Sequence, residues 1–377
     1  MSTMLPATPK TFGDIRHVFS SAFSALQGAK NPLALPPAKQ AVVVLVDGLG
    51  SHNIRERSGH APFLLAALKA GKSISAGFPT TTAASISSFA TGLAPSESGI
   101  VAYKILDRPS GEVFNMLTGW GDEFPVATWQ PHQTVSQKAV AAGIETNVIG
   151  AAEYSNSGFT QATMPEVNYI AAKGISQSFD AASKLLVGSQ PSLTYLYVPY
   201  LDQCAHQYGW QSPKWSELLE ELDSSMRQLS LGLRKGQGVL LTADHGVVDI
   251  PFANHIYLDE IPELAGQLEF VGGDTRAPML YLKSPEAQSS VQQSLERHLN
   301  SVAWVLSREQ LLDAGWYGPM SDDVAARLGD ITIVAKSNVV FYERNFASAK
   351  SLKMVGHHGA MSSEELQIPL IRLGQFA

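Results

Sequence analysis

The sequence predicts an α/β fold, a sandwich around a mostly parallel central sheet that carries a small α+β insertion. Three observations lead there. Apolar strand-like runs alternate with helical patterns; the runs lack the polar alternation of half-exposed strands; and each delivers acidic residues at or just past its carboxyl end.

Phe12 to Leu26 reads as a helix, and the Pro-rich stretch Asn31 to Lys39 as the lead-in to the first strand. Ala41-Val42-Val43-Val44-Leu45-Val46 is a continuous apolar run, mostly β-branched, which suits a strand buried on both faces; Asp47-Gly48 follows it. Ser73 to Gly77 forms a short strand that passes through Phe78-Pro79-Thr80-Thr81-Thr82 into a helix over Ala84 to Thr91. Gln133 to Ala142 and the Glu/Leu-rich Trp215 to Leu231 are helical. Ser192 to Val198 is a second buried strand, running towards Asp202, and Gly238 to Ala243 a third, running into Asp244-His245. In such sheets ligands bind beyond the carboxyl ends of the strands.

After Pro251 the rhythm changes. Leu268 to Val271 and Ala277 to Leu282 read as strands, Pro285 to Leu299 as a helix and Val302 to Leu306 as a strand. This places a small α+β insertion domain at 256–345, with the catalytic α/β domain formed by 1–255 and 346–377.

Composition narrows the class. The 377 residues are 45% hydrophobic and 16% charged, an ordinary globular balance. A net charge of -7 without any Lys/Arg-rich run excludes a protein that holds nucleic acid by neutralising phosphates. Apolar runs such as Ala41 to Val46 fall far short of the roughly 20 residues of a membrane span. The single Cys204 forms no internal disulfide, and Met1 to Gln27 lacks the charged-then-apolar order of a secretory signal, so a cytoplasmic location is expected.

The chemistry is carried by scattered carboxylates and imidazoles. Asp47 ends a strand; Asp202 and His206 share one face if a helical turn begins at Asp202; Asp244 and His245 are adjacent in a loop; His358 lies in Gly356-His357-His358-Gly359. Six Asp/His side chains suit two divalent ions, with zinc the first expectation and manganese the second. Two ions about 4 Å apart stabilise the attacking and leaving oxygens of a displacement at phosphorus. The nucleophile is expected in Phe78-Pro79-Thr80-Thr81-Thr82, where a hydroxyl beside a helix N-terminus meets unpaired N–H groups that also welcome phosphate.

The order Asp-Gly after a strand, Phe-Pro-x-x-Thr, Asp-x-x-x-His, Thr-Ala-Asp-His-Gly and a late His-Gly resembles the nucleotide pyrophosphatase/phosphodiesterase family of the alkaline phosphatase superfamily, over residues 41 to 369. The resemblance implies an alkaline-phosphatase-like sandwich. It also implies that Asp47, Thr82, Asp244 and His245 surround one ion, that Asp202, His206 and His358 hold the other, and that Thr82 forms a phospho-threonine intermediate. One departure stands out. Family members that hydrolyse nucleotides carry an Asn in a Gly-Ile-Val-His-Asn context, where this chain has Gly99-Ile100-Val101-Ala102-Tyr103, so the contact to the phosphoryl oxygen passes to the Tyr103 phenol.

Other readings stay open at this level. The nucleophile could be Thr80 or Thr81, the late ligand His357, and Tyr103 a packed aromatic; Trp120, Trp129 and Trp210 could line a base-stacking slot or sit in the core. A haloacid-dehalogenase-type site would need a second Asp where Leu49 stands, and a sulfatase would need Cys or Ser in place of Thr82. The expected activity is hydrolysis of phosphodiester or pyrophosphate bonds in a small molecule, possible nucleotide substrates included. A phosphomonoesterase, a phosphomutase and a catalytically silent metal-binding protein are the alternatives.

Overall fold

The computed structural model describes Leu5 and residues 13–377. Its centre is a seven-stranded sheet in the order Lys72–Ser75, Gln367–Gly374, Gln237–Thr242, Gln40–Val46, Ser192–Val198, Glu145–Gly150, Asn168–Ala171. The last five run parallel, and Gln367–Gly374 runs antiparallel to both of its neighbours. Every residue of Gln40–Val46 and Gln237–Thr242 is buried, which is why these strands read as unbroken apolar runs: both faces of the sheet are covered.

Two groups of helices do the covering. Arg16–Leu26 packs with Thr82–Thr91 and Val135–Ala141, while Pro213–Leu231 packs with Gly174–Leu185 and Pro62–Ala70. Phe19 and Phe89 from the first group stack at 4.8 Å and meet Tyr195 of the sheet. The first helix starts at Arg16, four residues after the expected Phe12, which lies outside the described residues. The helix expected at Ala84 begins instead at Thr82. No described helix is long and apolar enough to cross a membrane.

The register levels the carboxyl ends of the central strands. Val46 pairs with Val198, and Leu45 with Thr242, so Asp47 and Asp244 emerge side by side at one edge. Residues 268–335 form a four-stranded antiparallel sheet, in the order Leu268–Asp274, Ala277–Leu282, Ile331–Ala335, Ala303–Ser307. Helix Gln288–Leu299 packs on Ala303–Ser307. Its core is shared with an earlier stretch of chain, since Phe78, Ile100, Val101, Phe114 and Trp129 join the same apolar cluster. The hairpin of Lys104–Asp107 and Glu112–Asn115 packs on the edge strand Leu268–Asp274. Tyr103 precedes this hairpin in a bend rather than lying in a strand.

Candidate active site

The ligand atoms of Asp47, Asp244 and His245 lie within 4.8 Å of one another, and so do those of Asp202, His206 and His358. The imidazoles join the two groups: His245 and His358 stack at 3.7 Å, and His206 lies 5.3 Å from His358.

Each residue is delivered by local structure. Asp47 follows Val46, and Gly48 turns the chain with φ +72°; a Cβ there would sit 2.9 Å from Cβ of Asp202, so the close approach of these two segments demands glycine. Helix Tyr200–Tyr208 carries Asp202 in its first turn and His206 one turn later, with Nε2 of His206 3.0 Å from the Asp202 carboxylate. His358 arrives through the ladder that pairs Gly356–His357 with Val248–Asp249. His357 points elsewhere, with Nδ1 against the Thr275 hydroxyl and Nε2 against the Met354 carbonyl.

Thr82 is the first residue of helix Thr82–Thr91, and Thr81 is its N-cap. The Thr82 hydroxyl lies 3.2 Å from His245 Nε2, at the first group. Thr80 is committed to structure: its hydroxyl donates to the Ala360 carbonyl and accepts the Gly359 N–H. Thr81 donates to Asp274. Of the three threonines, Thr82 alone meets a ligand-group residue through its hydroxyl.

The histidines share one arrangement. Nδ1 of His206, His245 and His358 faces a backbone carbonyl, of Gly356 at 2.8 Å, Gly246 at 3.2 Å and Thr80 at 2.8 Å. A carbonyl only accepts, so Nδ1 carries a proton, and in the neutral form of each ring Nε2 presents its lone pair to the cluster. Burial pushes His245 down to about 4 and His358 down to about 3, so both stay neutral.

The carboxylates divide. Burial, then the neighbouring Asp244 and Asp202, push Asp47 far above its ordinary range, and burial raises Asp244 to about 6. Burial works against Asp202 too, but the charge of His206 and their hydrogen bond prevail and hold its carboxyl low; His206 correspondingly rises against burial. Tyr197 donates to Asp47, and the N–H groups of Gly48 and His245 donate to Asp244. Asp47 Oδ1, Asp202 Oδ1 and Asp244 Oδ2 are nevertheless sealed from solvent and meet no donor. Such oxygens are unfavourable unless a cation meets them. Three unpartnered carboxylate oxygens beside three Nε2 lone pairs form a donor set that fits two divalent ions.

The site opens on a cavity of about 1500 Å³. Tyr154, Phe159 and Tyr169 supply an aromatic wall with Met164 beside them, and Tyr103, Lys104, Asp274 and Lys353 line the cavity as well. The tryptophans serve the core: Trp120 and Trp129 pack on Phe114, and Trp210 on Trp215. Sequence reasoning missed Tyr197 and Asp274, neither of which belongs to a motif. It also missed the buried Arg276–Glu365 pair, 2.9 Å apart, through which Glu365 holds the Ala360 N–H with its carboxylate and the Gly246 N–H with its carbonyl. Neither charge stands out in the sequence, where Arg276 follows Asp274-Thr275 and Glu365 follows Ser362-Ser363-Glu364.

Comparison with known proteins bears on the fold and the family. The chain is 17% identical to murine ectonucleotide pyrophosphatase/phosphodiesterase 5, with a TM-score of 0.67 over 88% of this chain and 87% of that one. An inactive variant of the same murine protein in complex with AMP gives 16% and 0.68, over 89% and 88%. Phosphonoacetate hydrolase from Sinorhizobium meliloti in complex with phosphonoacetate gives 19% and 0.68, over 90% and 91%. These likenesses show a shared alkaline-phosphatase-like fold. In sequence, 230 residues are 23% identical to an uncharacterised pyrophosphatase/phosphodiesterase of Schizosaccharomyces pombe, a match that covers 56% of this chain and only 43% of that protein. The profile of the type I phosphodiesterase / nucleotide pyrophosphatase family matches residues 41–361, and the chain belongs to that family.

Proposed function

We propose that the chain hydrolyses phosphodiester or pyrophosphate bonds of a small molecule, nucleotides being candidate substrates, through a phosphorylated Thr82 and with two divalent ions. The observation that carries this reading is the set of sealed, unpartnered carboxylate oxygens gathered with three imidazoles beside the Thr82 hydroxyl. Asp47, Asp244 and His245, with Thr82, would hold one ion, and Asp202, His206 and His358 the other; zinc is expected, with manganese as the alternative. When bound, the ions supply Lewis-acid stabilisation of the attacking and leaving oxygens and ease deprotonation of the nucleophiles.

The rest is the work of the chain. Thr82 stands at a helix N-terminus, where unpaired N–H groups and the helix dipole favour an anion. Its Oγ1 attacks phosphorus while the bond to the leaving oxygen breaks, and water then attacks the same phosphorus, releasing the phosphate monoester and restoring the Thr82 hydroxyl. Tyr103, in the cavity wall, would donate to a non-bridging oxygen. The Gly356 and Thr80 carbonyls fix the rings of His206 and His358, so the second group keeps its geometry through turnover. The murine relative solved with AMP and the hydrolase solved with phosphonoacetate support a small phosphorus-containing substrate.

The test compares bis-p-nitrophenyl phosphate with p-nitrophenyl phosphate, on purified protein before and after chelation and on adding back zinc or manganese. Faster diester hydrolysis that vanishes on chelation and returns with metal is expected. Absence of bound metal together with inactivity after either addition defeats the proposal.

A further inference from the structure

The inserted sheet meets the site through three consecutive side chains of one hairpin. Strands Leu268–Asp274 and Ala277–Leu282 are joined by the turn Thr275-Arg276, with Asp274 paired to Ala277. Oδ1 of Asp274 accepts the Thr81 hydroxyl at 3.2 Å, and the Tyr103 backbone N–H also bonds to this carboxyl. The Thr275 hydroxyl lies 3.0 Å from Nδ1 of His357, the neighbour of His358. Arg276 pairs with Glu365, which holds the Ala360 and Gly246 N–H groups. The approach is close on both flanks of Asp274: a Cβ at Gly359 would come 2.7 Å from Cβ of Asp274, and one at Gly272 would come 2.5 Å from the Lys104 carbonyl oxygen.

Thr81 is the N-cap of helix Thr82–Thr91, yet its side chain makes no capping bond. A threonine in this position ordinarily turns its oxygen back to the N–H groups of the first turn. Here the hydroxyl is spent on Asp274, 193 residues away in the chain, and the first turn is left uncapped by it. Thr80, one residue earlier, is anchored to the His358 loop: its hydroxyl binds the Ala360 carbonyl and the Gly359 N–H, and its carbonyl faces Nδ1 of His358. Two successive residues before the nucleophile are thus held by two different parts of the molecule.

We propose that Asp274 is a positioning residue for the reaction at Thr82: by holding the Thr81 hydroxyl and the Tyr103 backbone, it fixes the helix start that aims the Thr82 hydroxyl at the phosphoryl group. This role rests on the phosphodiesterase reading above. A carboxyl oxygen accepts the Thr81 O–H in either charge state, so the tie does not depend on ionisation of Asp274. Without the tie the turn is anchored at Thr80 alone and pivots there, which displaces Thr82 Oγ1 while the Thr80 carbonyl keeps the His358 ring in place. A displacement of about 1 Å at a reacting atom costs on the order of 100-fold in rate.

The test is steady-state hydrolysis of bis-p-nitrophenyl phosphate by the metal-loaded full chain, with melting temperature and metal content measured for every variant. Thr81→Val, which removes the hydroxyl at nearly constant volume, is expected to lower kcat by about 10–100-fold with KM within about threefold and metal content unchanged. Thr81→Ser keeps the donor and is expected to stay within about threefold of wild type. Asp274→Ala is expected to match or exceed the Thr81→Val loss, and adding Thr81→Val to it to cost at most about threefold more, because the tie is already gone. A Thr81→Val enzyme within about threefold of wild type overturns the proposal, as do a Thr81→Ser enzyme as impaired as the Val one, additive losses in the double variant, a rise in KM in place of the fall in kcat, or a fall in metal content that accounts for the loss. Should Asp274→Ala not fold, the two Thr81 variants decide alone. Thr82→Ala separates the two claims. If it remains active, the phosphodiesterase reading falls and takes the positioning role with it; if it is inactive while Thr81→Val is not impaired, only the positioning role falls.

Discussion

The two ligand groups solve the same problem by opposite means. Asp47, Asp244 and His245 follow the ends of neighbouring parallel strands, fully buried, with two carboxylates whose burial raises their affinity for protons. Asp202 and His206 ride one helical turn, met by His358 from far along the chain, and there the carboxylate is held low by its own imidazole. The first group has no internal counter-charge; in the second, His206 supplies one while it holds a second proton on Nε2, which an ion would displace. A cation therefore gains most at the first group, and the second, where His206 is only half-buried, is the more open to exchange.

Experiments can break this contrast, beginning with the largest effect. The Thr82 hydroxyl stands beside the first group, and Thr82→Ala is expected to reduce diester turnover on the order of 10⁴-fold or more while leaving the melting temperature near wild type. Next comes the order of metal loss. In a chelator titration followed by metal analysis, one ion leaves well before the other. Asp47→Asn is expected to weaken the tighter ion by more than about 100-fold, whereas Tyr197→Phe, which removes only the hydrogen bond to Asp47, weakens it by about 10–100-fold. Equal losses in the two variants would contradict a charge-dominated first group.

The loops of both groups are tied by Glu365 and its partner. Arg276→Met leaves the Glu365 carboxylate buried and unpaired, and is expected to destabilise the protein by about 3–5 kcal/mol in denaturant titrations; pairing it with Glu365→Leu recovers much of this. The smallest effect is on pH. His245 and His358 have folded values near 4 and 3, below the ordinary 6.5, so the unfolded chain binds protons first. Their contribution to stability is complete above about 6.5 and is lost as pH falls towards those folded values. Asp47 and Asp244, raised in the fold, act in the opposite sense over the same range, so the test is differential: in metal-free protein, His245→Gln should lose less melting temperature than wild type as pH drops from about 6.5 to 4. A variant whose pH slope matches that of wild type would show that the His245 imidazole is not held neutral by burial.

Much of this was legible in the sequence because strand-end chemistry is local. Ala41 to Val46 announces a doubly buried strand, and Asp47 can then stand nowhere but its carboxyl end. Asp202 and His206 are readable for the same reason, since helical spacing alone brings them together. What escaped depends on contacts across the chain. Tyr197 reaches Asp47 because of strand register, and Asp274 reaches Thr81 only after the inserted sheet docks, 193 residues away. The shared core of the four-stranded sheet was equally invisible. Phe78 and Phe114 look like ordinary apolar residues until the hairpin lies against Leu268–Asp274. Thr82 was legible as a helix-start hydroxyl, but its distinction from Thr80 and Thr81 needed the partners that occupy those two neighbours.

The level ends of the central strands carry a thermodynamic consequence. With the proposed ions, the sheet register that sets Asp47 beside Asp244 would make the native fold itself a sensor of them, because an occupied site relieves a repulsion that the unfolded chain never has. Stability then follows the free ion concentration logarithmically, gaining about 1.4 kcal/mol per site for each tenfold rise above the dissociation constant. A cell short of the ion would hold not merely an idle enzyme but a less durable one, more readily cleared by proteolysis.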